Sequence, residues 1–412
     1  MPVTEWKPAS ALELGRMLAE NYDGPRAPLL PVGGRTGLRF GGGMPAGSVL
    51  VQTGDLRRVI DYPDRDMTIT VEAGLRMEEL HERLAAQQQR LPVDVPQSHR
   101  ATLGGAIACN ASGPGRYGYG TFRDYVIGIS AVDGRGRLFS AGGRVVKNVA
   151  GYDLCKLLTG SLGTLAVITQ VTLKLRPQVE SRRFVLASAR QTSDLEAMLA
   201  ALNTSATRPV AIEVLNPKAA WQLRSEARQD LPTEMFLLCI GFEGSTLETD
   251  WQIKTVLQEL QPHCVGTPLV LTQENADLLW RALTEYQAAS DDPLTFQITV
   301  LPSRVTAVLE QATALGMAVQ AHAGNGILIG HLPDRYADAG NALQLLGTLR
   351  KTIQQAGGSL TVLNCEHDWA APAGEFGISL REDALQRRLK LAFDPANILS
   401  PGRLWPAAVT MK

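Results

Sequence analysis

Residues 31–43 read PVGGRTGLRFGGG, six glycines in thirteen positions, a density that marks either a flexible turn or a backbone surface built to touch something closely. The stretch follows an apolar entry, APLLPV at 27–32, which places it at the end of a strand. At such ends successive N–H groups can converge on an anion. Two familiar phosphate loops are excluded. No Lys-Ser or Lys-Thr pair follows the glycines, and the G-x-G-x-x-G spacing before a helix is absent. By itself the stretch leaves a structural turn and a phosphate cradle both open.

It has company. ATLGGAIACNASGPGRYGYG (101–120) and KNVAGYDLCKLLTGSLGTLAVIT (147–169) are further clusters of small residues, each beside a β-rich run. Those runs are SVLVQT (48–53), MTITVEAG (67–74), VIGISAVD (126–133) and LAVITQVTLKL (165–175), and MEELHERLAAQQQ (77–89) between them has helical spacing. Three clusters in one region fit an extended, multiply phosphorylated ligand. A dinucleotide is the natural candidate, and the lack of a Rossmann loop points away from NAD.

Beyond about residue 178 the glycines thin out and strands alternate with helices. RFVLASA, AIEVLN, MFLLCIGFEG, LTFQITVL, MAVQAHAGNGILIGHL and SLTVLN read as strands, and DLEAMLAAL, DWQIKTVLQEL, VTAVLEQATALG and ALQLLGTLRKTIQQAGG as helices. This rhythm predicts an α+β domain with a largely antiparallel sheet and helices on one face. The expected division is 1–178, 179–384, and a closing segment 385–412 in which a helix stops at Asp394-Pro395.

The 40 basic and 41 acidic residues nearly cancel, which speaks against a nucleic-acid-binding chain. No apolar run is long enough to span a bilayer, and the N-terminal residues lack a secretory h-region. Five scattered cysteines, with no C-x-x-C pair, fit a reducing cytoplasm and offer no iron–sulfur or zinc framework.

Taken in order, PVGGRTGL, VEAGLRMEEL, ATLGGAIACNASG, KNVAGYDLCKLLTGSLGTLAVIT and the tail FDPANILSPGR (393–403) resemble the FAD-binding segments of the vanillyl-alcohol oxidase/PCMH flavoprotein superfamily. The resemblance implies a two-subdomain PCMH-type FAD-binding domain followed by a ferredoxin-like α+β cap. It implies that Gly33, Gly34, Arg35, Thr36 and Gly37 bind the FAD pyrophosphate, and that Thr102, Gly104, Gly105, Asn110 and Gly113 line the pyrophosphate and flavin. Gly163 and Ile168 would meet the adenosine side, with Asn397 and Arg403 approaching the flavin from the tail. The first loop has no histidine for a covalent link, so the FAD is expected to be non-covalent.

The wording of the third cluster is most similar to the smaller FAD-binding subunits of bacterial glycolate dehydrogenases. That similarity implies a larger FAD-binding subunit and an iron–sulfur subunit as partners, and a small 2-hydroxy acid as substrate. The chain would then be cytoplasmic, reaching the inner membrane only through partners. A self-sufficient metal-free dehydrogenase and an assembly subunit with structural FAD are the alternatives.

Relatives in this superfamily carry H-x-G-D-G-N-x-H and a later E-H-G as a metal-associated site. Here HAGNGILI (322–329) keeps His322, Gly324 and Gly326, but Asn325 stands for Asp, Ile327 for Asn and Ile329 for the second His. Glu366-His367 is followed by Asp368 instead of Gly. With one imidazole and one carboxylate missing, no metal is expected. His331 would need a bulge to substitute. The candidates for proton transfer and carboxylate binding are His367, His322 and Arg403, with a structural role for His322 as the competing reading. Asp153 and Lys156 read as fold or partner contacts.

Overall fold

In the computed structural model, residues 4–38, 40, 47–143, 152–288, 293–333, 338–365 and 383–403 are described. The chain divides into two compact units, one formed by 1–111, 121–178 and 367–412, the other by 112–120 and 179–366.

The first unit holds two main sheets. Strands β1 (Glu5–Trp6), β2 (Leu29–Val32) and β3 (Val49–Gln52) pair in parallel in the order β1-β3-β2. The helix Ala11–Asp23 begins at Ser10, whose hydroxyl accepts from the Glu13 amide, and buries Leu14 and Leu18 with Leu29 and Val51. The second sheet contains β4 (Val59–Asp61) and β5 (Thr68–Glu72), while β6 (Gln89–Arg90) lies apart. It is completed by β7 (Val126–Asp133), β8 (Leu138–Gly142) and β9 (Ala166–Lys174); β10 (Arg176–Pro177) pairs with β6. Its order is β4-β5-β9-β7-β8, antiparallel throughout. Ile69, Val71, Val171 and Leu173 of its central strands pack with Leu80 and Leu84 of the helix Met77–Ala85 and with Leu103 and Ile107. The 3.6-residue spacing of Met77, Leu80 and Leu84 places all three on the buried face.

The chain's end closes on this unit. After the helix Asp383–Phe393, Leu399 bridges Leu29 in parallel, so the tail extends the first sheet alongside β2. The Leu29 amide donates to Ile398 O at 2.7 Å, and the Ser400 amide to Leu29 O at 2.8 Å. The turn is held by a buried ion pair. Lys390 Nζ donates to Asp394 Oδ2 (2.6 Å), Thr164 O (2.7 Å) and Leu399 O (2.9 Å), and Asp394 accepts from the Ile398 and Leu399 amides. Burial pushes the Lys390 ammonium below the usual lysine range, against the opposing pull of Asp394.

The second unit is one antiparallel sheet of eight strands. They are β11 (Ser181–Ala189), β12 (Ala211–Leu215), β13 (Phe236–Gly244), β14 (Val265–Leu271), β15 (Leu294–Thr299), β16 (Ala318–His322), β17 (Ile327–His331) and β18 (Ser359–Cys365). Their order is β14-β11-β13-β12-β16-β17-β15-β18. Helices cover both faces, not the single face expected from the strand–helix rhythm. Leu237 and Cys239 join Phe184, Leu186 and Leu215 under the helices Pro217–Ala227 and Gln273–Glu285. Leu238, Ile240 and Phe242 alternate to the opposite face and are fully buried there, where Thr192–Thr204, Thr246–Leu260 and Val305–Ala314 pack together. An unbroken apolar run such as FLLCIGF is what a strand covered on both sides requires.

Breaking a buried ion pair from one side leaves an uncompensated charge, so Lys390→Met is expected to destabilise the first unit by about 3 kcal/mol. Urea unfolding measures this; a loss under about 1 kcal/mol would show that the pair does not hold the tail.

Candidate functional site

In the first unit, β2 runs out at Val32, whose carbonyl accepts from both the amide and the hydroxyl of Thr53. The chain then passes so close to a distant segment that side chains are barred: a Cβ on Gly33 would overlap the Thr102 side chain, and one on Gly34 the Arg100 carbonyl. Gly37 faces Cys109 Sγ, and Gly105 faces Thr102 Oγ1. Arg35 adopts a left-handed φ of 61° and pairs with Glu5, while Thr36 is exposed.

Thr102 precedes the helix Leu103–Cys109, which ends at Asn110 with φ 49°. The third cluster docks there: the Gly160 amide donates to Ile107 O at 3.0 Å and the Leu162 amide to Ala108 O at 2.8 Å. Gly163, at φ 68°, lies beside Pro31 of β2 and Ser400 of the tail. Arg403 is buried and donates to the Leu38 carbonyl, while Asn397 makes a left-handed turn whose amide bonds to Asp394 O. Burial pushes the Arg403 guanidinium down and the neighbouring Cys109 thiol up, each partly opposed by the other group.

Four segments far apart in the chain thus surround one place. Four buried polar atoms on them have no hydrogen-bond partner among the described residues: Thr102 Oγ1, Asn110 Oδ1, Ser161 Oγ and Ser400 Oγ. Buried polar groups are seldom left so, because each orphan costs about 1–3 kcal/mol. Such a set, beside a loop of glycines, fits a ligand rich in hydrogen-bonding oxygens.

Some of the residues expected there also have contacts within the fold. Gly104 uses its amide on Ala73 O and packs its helix against that turn. Ile168 lies on β9 opposite Ala131, within the core. Gly113 belongs to the second unit. Ser161 and Ser400 went unassigned in the sequence. Both lie inside the quoted clusters, and their signal is a polar residue set among small and apolar ones.

In the second unit, His322 ends β16 and is 5% exposed. Its Nδ1 lies 2.7 and 2.8 Å from the two carboxylate oxygens of Glu213, and Gln320 Nε2 donates to Glu213 Oε2 at 2.8 Å. Register explains the meeting: Glu213 is directly across from His322, and Leu215 from Gln320. Glu213 was overlooked in the sequence, although an acid between Ile212 and Val214 in a buried strand is itself a signal.

His331 does not substitute for the missing ligand. Its strand pairs regularly with β15 and β16, and Ile327, not His331, sits opposite His322. Four residues along a strand separate the two positions by ~13 Å, and His331 instead packs on Tyr286, ring centroids 4.3 Å apart. Among the described residues no group of three or more His, Cys, Asp or Glu side chains could hold a metal ion. Glu366, His367 and Asp368 lie outside the described residues. Asp153 caps the helix Leu154–Leu158 and pairs with Lys156 at 3.0 Å, a local fold contact.

Comparison with known proteins bears on both units. Residues 7–142 match the family described as FAD binding domain, and residues 178–362 and 377–404 that described as FAD linked oxidases, C-terminal domain. The glycolate oxidase subunit GlcD of Bacillus subtilis is 25% identical over 98% of this chain and 89% of its own length. The D-2-hydroxyglutarate dehydrogenase of Stutzerimonas stutzeri is 26% identical over 92% of this chain and 86% of its own. The glycolate oxidase subunit GlcE of Escherichia coli is 37% identical over a shorter stretch, 34% of this chain and 40% of that protein. A solved structure of alkyldihydroxyacetonephosphate synthase shares the fold, with TM-score 0.65 at 18% identity over 96% of this chain and 75% of that one. Among the described residues no helix is long and apolar enough to cross a membrane. The chain belongs to the FAD-linked oxidases, the flavoprotein family that its loop motifs resemble, and FAD is its cofactor.

Proposed function

We propose that this chain is a non-covalent FAD-binding subunit of a complex that oxidises a small 2-hydroxy acid such as glycolate, in company with a larger FAD-binding subunit and an iron–sulfur subunit. The observation that carries the cofactor part is the convergence of the loop 33–37, Thr102 and Asn110, the turn 160–163 and the tail around four unpartnered buried polar atoms. The relatives, glycolate oxidase subunits and a D-2-hydroxyglutarate dehydrogenase, support the substrate class.

In this reading residues 1–178 with 385–412 hold the cofactor, and 179–384 form the cap. The bound flavin supplies an acceptor for the two electrons and hydrogen leaving the hydroxyl-bearing carbon. The protein supplies the rest. Amides of residues 33–37 serve the pyrophosphate, and glycine leaves no Cβ at 33, 34 and 37. Arg403 ties the loop's exit at Leu38 and adds a buried positive charge beside it. Glu213 holds His322 by Nδ1, which aims the opposite ring nitrogen along a fixed direction.

The subordinate role rests on the hairpin. A metal-associated site needs several ligands, and the positions of the motif's acid and second imidazole are filled by Asn325 and Ile329. His367 is a candidate proton acceptor by sequence.

Two outcomes are expected. Gly34→Ala places a methyl on the Arg100 carbonyl and should weaken FAD binding at least about tenfold, by the usual cost of overpacking; titration of the apo-protein with FAD reads it, and unaltered affinity would remove the cradle assignment. Mixed anaerobically with glycolate or D-lactate, the purified holo-chain should keep its flavin absorbance, and lose it once the partner subunits are added. Rapid bleaching of the chain alone would instead establish a self-sufficient dehydrogenase.

A further inference from the structure

Among the residues around the cradle, Ser400 combines three features. Its backbone is left-handed at φ 44°, a conformation that disfavours a side chain and costs about 1 kcal/mol or more in a residue other than glycine. The residue is 2% exposed, and its Oγ has no hydrogen-bond partner among the described residues. Yet its surroundings are firmly built. The Ser400 amide donates to Leu29 O, and the preceding Leu399 is locked by Asp394 and by the bridge to Leu29. The tail is therefore firmly built at this point, and the hydroxyl is held unsatisfied beside Gly163, which also meets Pro31 of β2 just before the glycine loop.

Strain and an orphaned donor in a rigid setting have a simple joint explanation: the group serves something outside the chain. We propose that Ser400 is a cofactor-holding residue, its Oγ–H donating to an oxygen of the phosphate-bearing chain of FAD. This rests on the FAD cradle described above and adds a residue from the chain's far end. Ser161, also buried and without a partner among the described residues, stands on the turn that carries Gly163. The tail then contributes binding energy directly, beyond buttressing β2.

The role makes an unusual pair of demands on one side chain. A purely structural serine stabilises the empty protein, so removing it harms folding with or without cofactor. A cofactor-holding serine whose hydroxyl is unsatisfied in the empty protein does the reverse: Ser400→Ala deletes an orphan and leaves the apo-protein as stable as before or more so. Ser400→Gly also relieves the left-handed backbone.

The test measures two quantities on full-length protein stripped of flavin and reconstituted: the Kd for FAD, by quenching of flavin fluorescence, and the Tm of the apo-form. Ser400→Ala and Ser400→Gly are each expected to weaken FAD about tenfold, the usual scale for one hydrogen bond to a charged acceptor, with apo Tm values equal to or above wild type. FAD affinity within about twofold of wild type in both variants overturns the assignment. So does an apo Tm that falls by several degrees in both, since the hydroxyl would then be serving the protein itself. Wild-type apo-protein that takes up no FAD would overturn the cradle reading and this proposal together, a result distinct from either variant outcome.

Discussion

The rest of the first unit depends on one close approach, that of the loop 33–37 to the segment 100–109. Gly33 and Gly34 lie so near Thr102 and Arg100 that hydrogen is the largest substituent either can carry. The end of a strand and the start of a helix, from different parts of the sequence, are thereby brought together, and the cradle reading takes the amides of 33–37 as its donors. An anion of low charge density would gain little from this. A pyrophosphate, extended and carrying several acceptor oxygens, gains from every exposed amide at once.

That approach needs something to fix the loop's two ends, and the chain's far end does it. Leu29 is bridged by Leu399 just before the loop begins, and Leu38 is bonded by Arg403 just as it finishes. The anchoring turn is built round Lys390 and Asp394, a buried pair in which each partner also meets backbone groups: two carbonyls for the lysine Nζ, two amides for the aspartate. A buried charge so fully satisfied is costly to disturb, even though the pair itself adds little net stability. Its value is geometric. It sets the tail in one position against β2, and the cradle inherits that position.

Much of this was legible in the chain, for a reason that can be stated. Glycine clusters announce close backbone approach wherever they lie, so PVGGRTG and ATLGGA could be read without knowing that they meet. What they meet was not legible, because the contact of Gly33 with Thr102 spans 69 positions and leaves no local periodicity. Lys390, inside RRLKLAF, reads as one more solvated cation on a helix; only the folded tail shows it enclosed by Thr164, Asp394 and Leu399. The second unit's sheet was read correctly as antiparallel, yet its helices were assigned to one face. The continuous apolar run at 236–242 already contradicted that, since a strand open to water on one side alternates.

Glu213 and His322 carry the argument into the second unit. A carboxylate bonded to an imidazole nitrogen is a device for holding the ring still, and it works equally for a metal ligand, a proton acceptor or a strut. What decides among these is the ring's neighbours. Asn325 offers a carboxamide in place of a charge, Ile329 puts an apolar side chain at the position of the second imidazole, and His331 lies ~13 Å along the strand. A divalent cation depends on ligand number and ligand charge together, and both have been reduced around an imidazole whose own support is intact. The orientation of His322 is therefore built in more firmly than any coordination sphere around it.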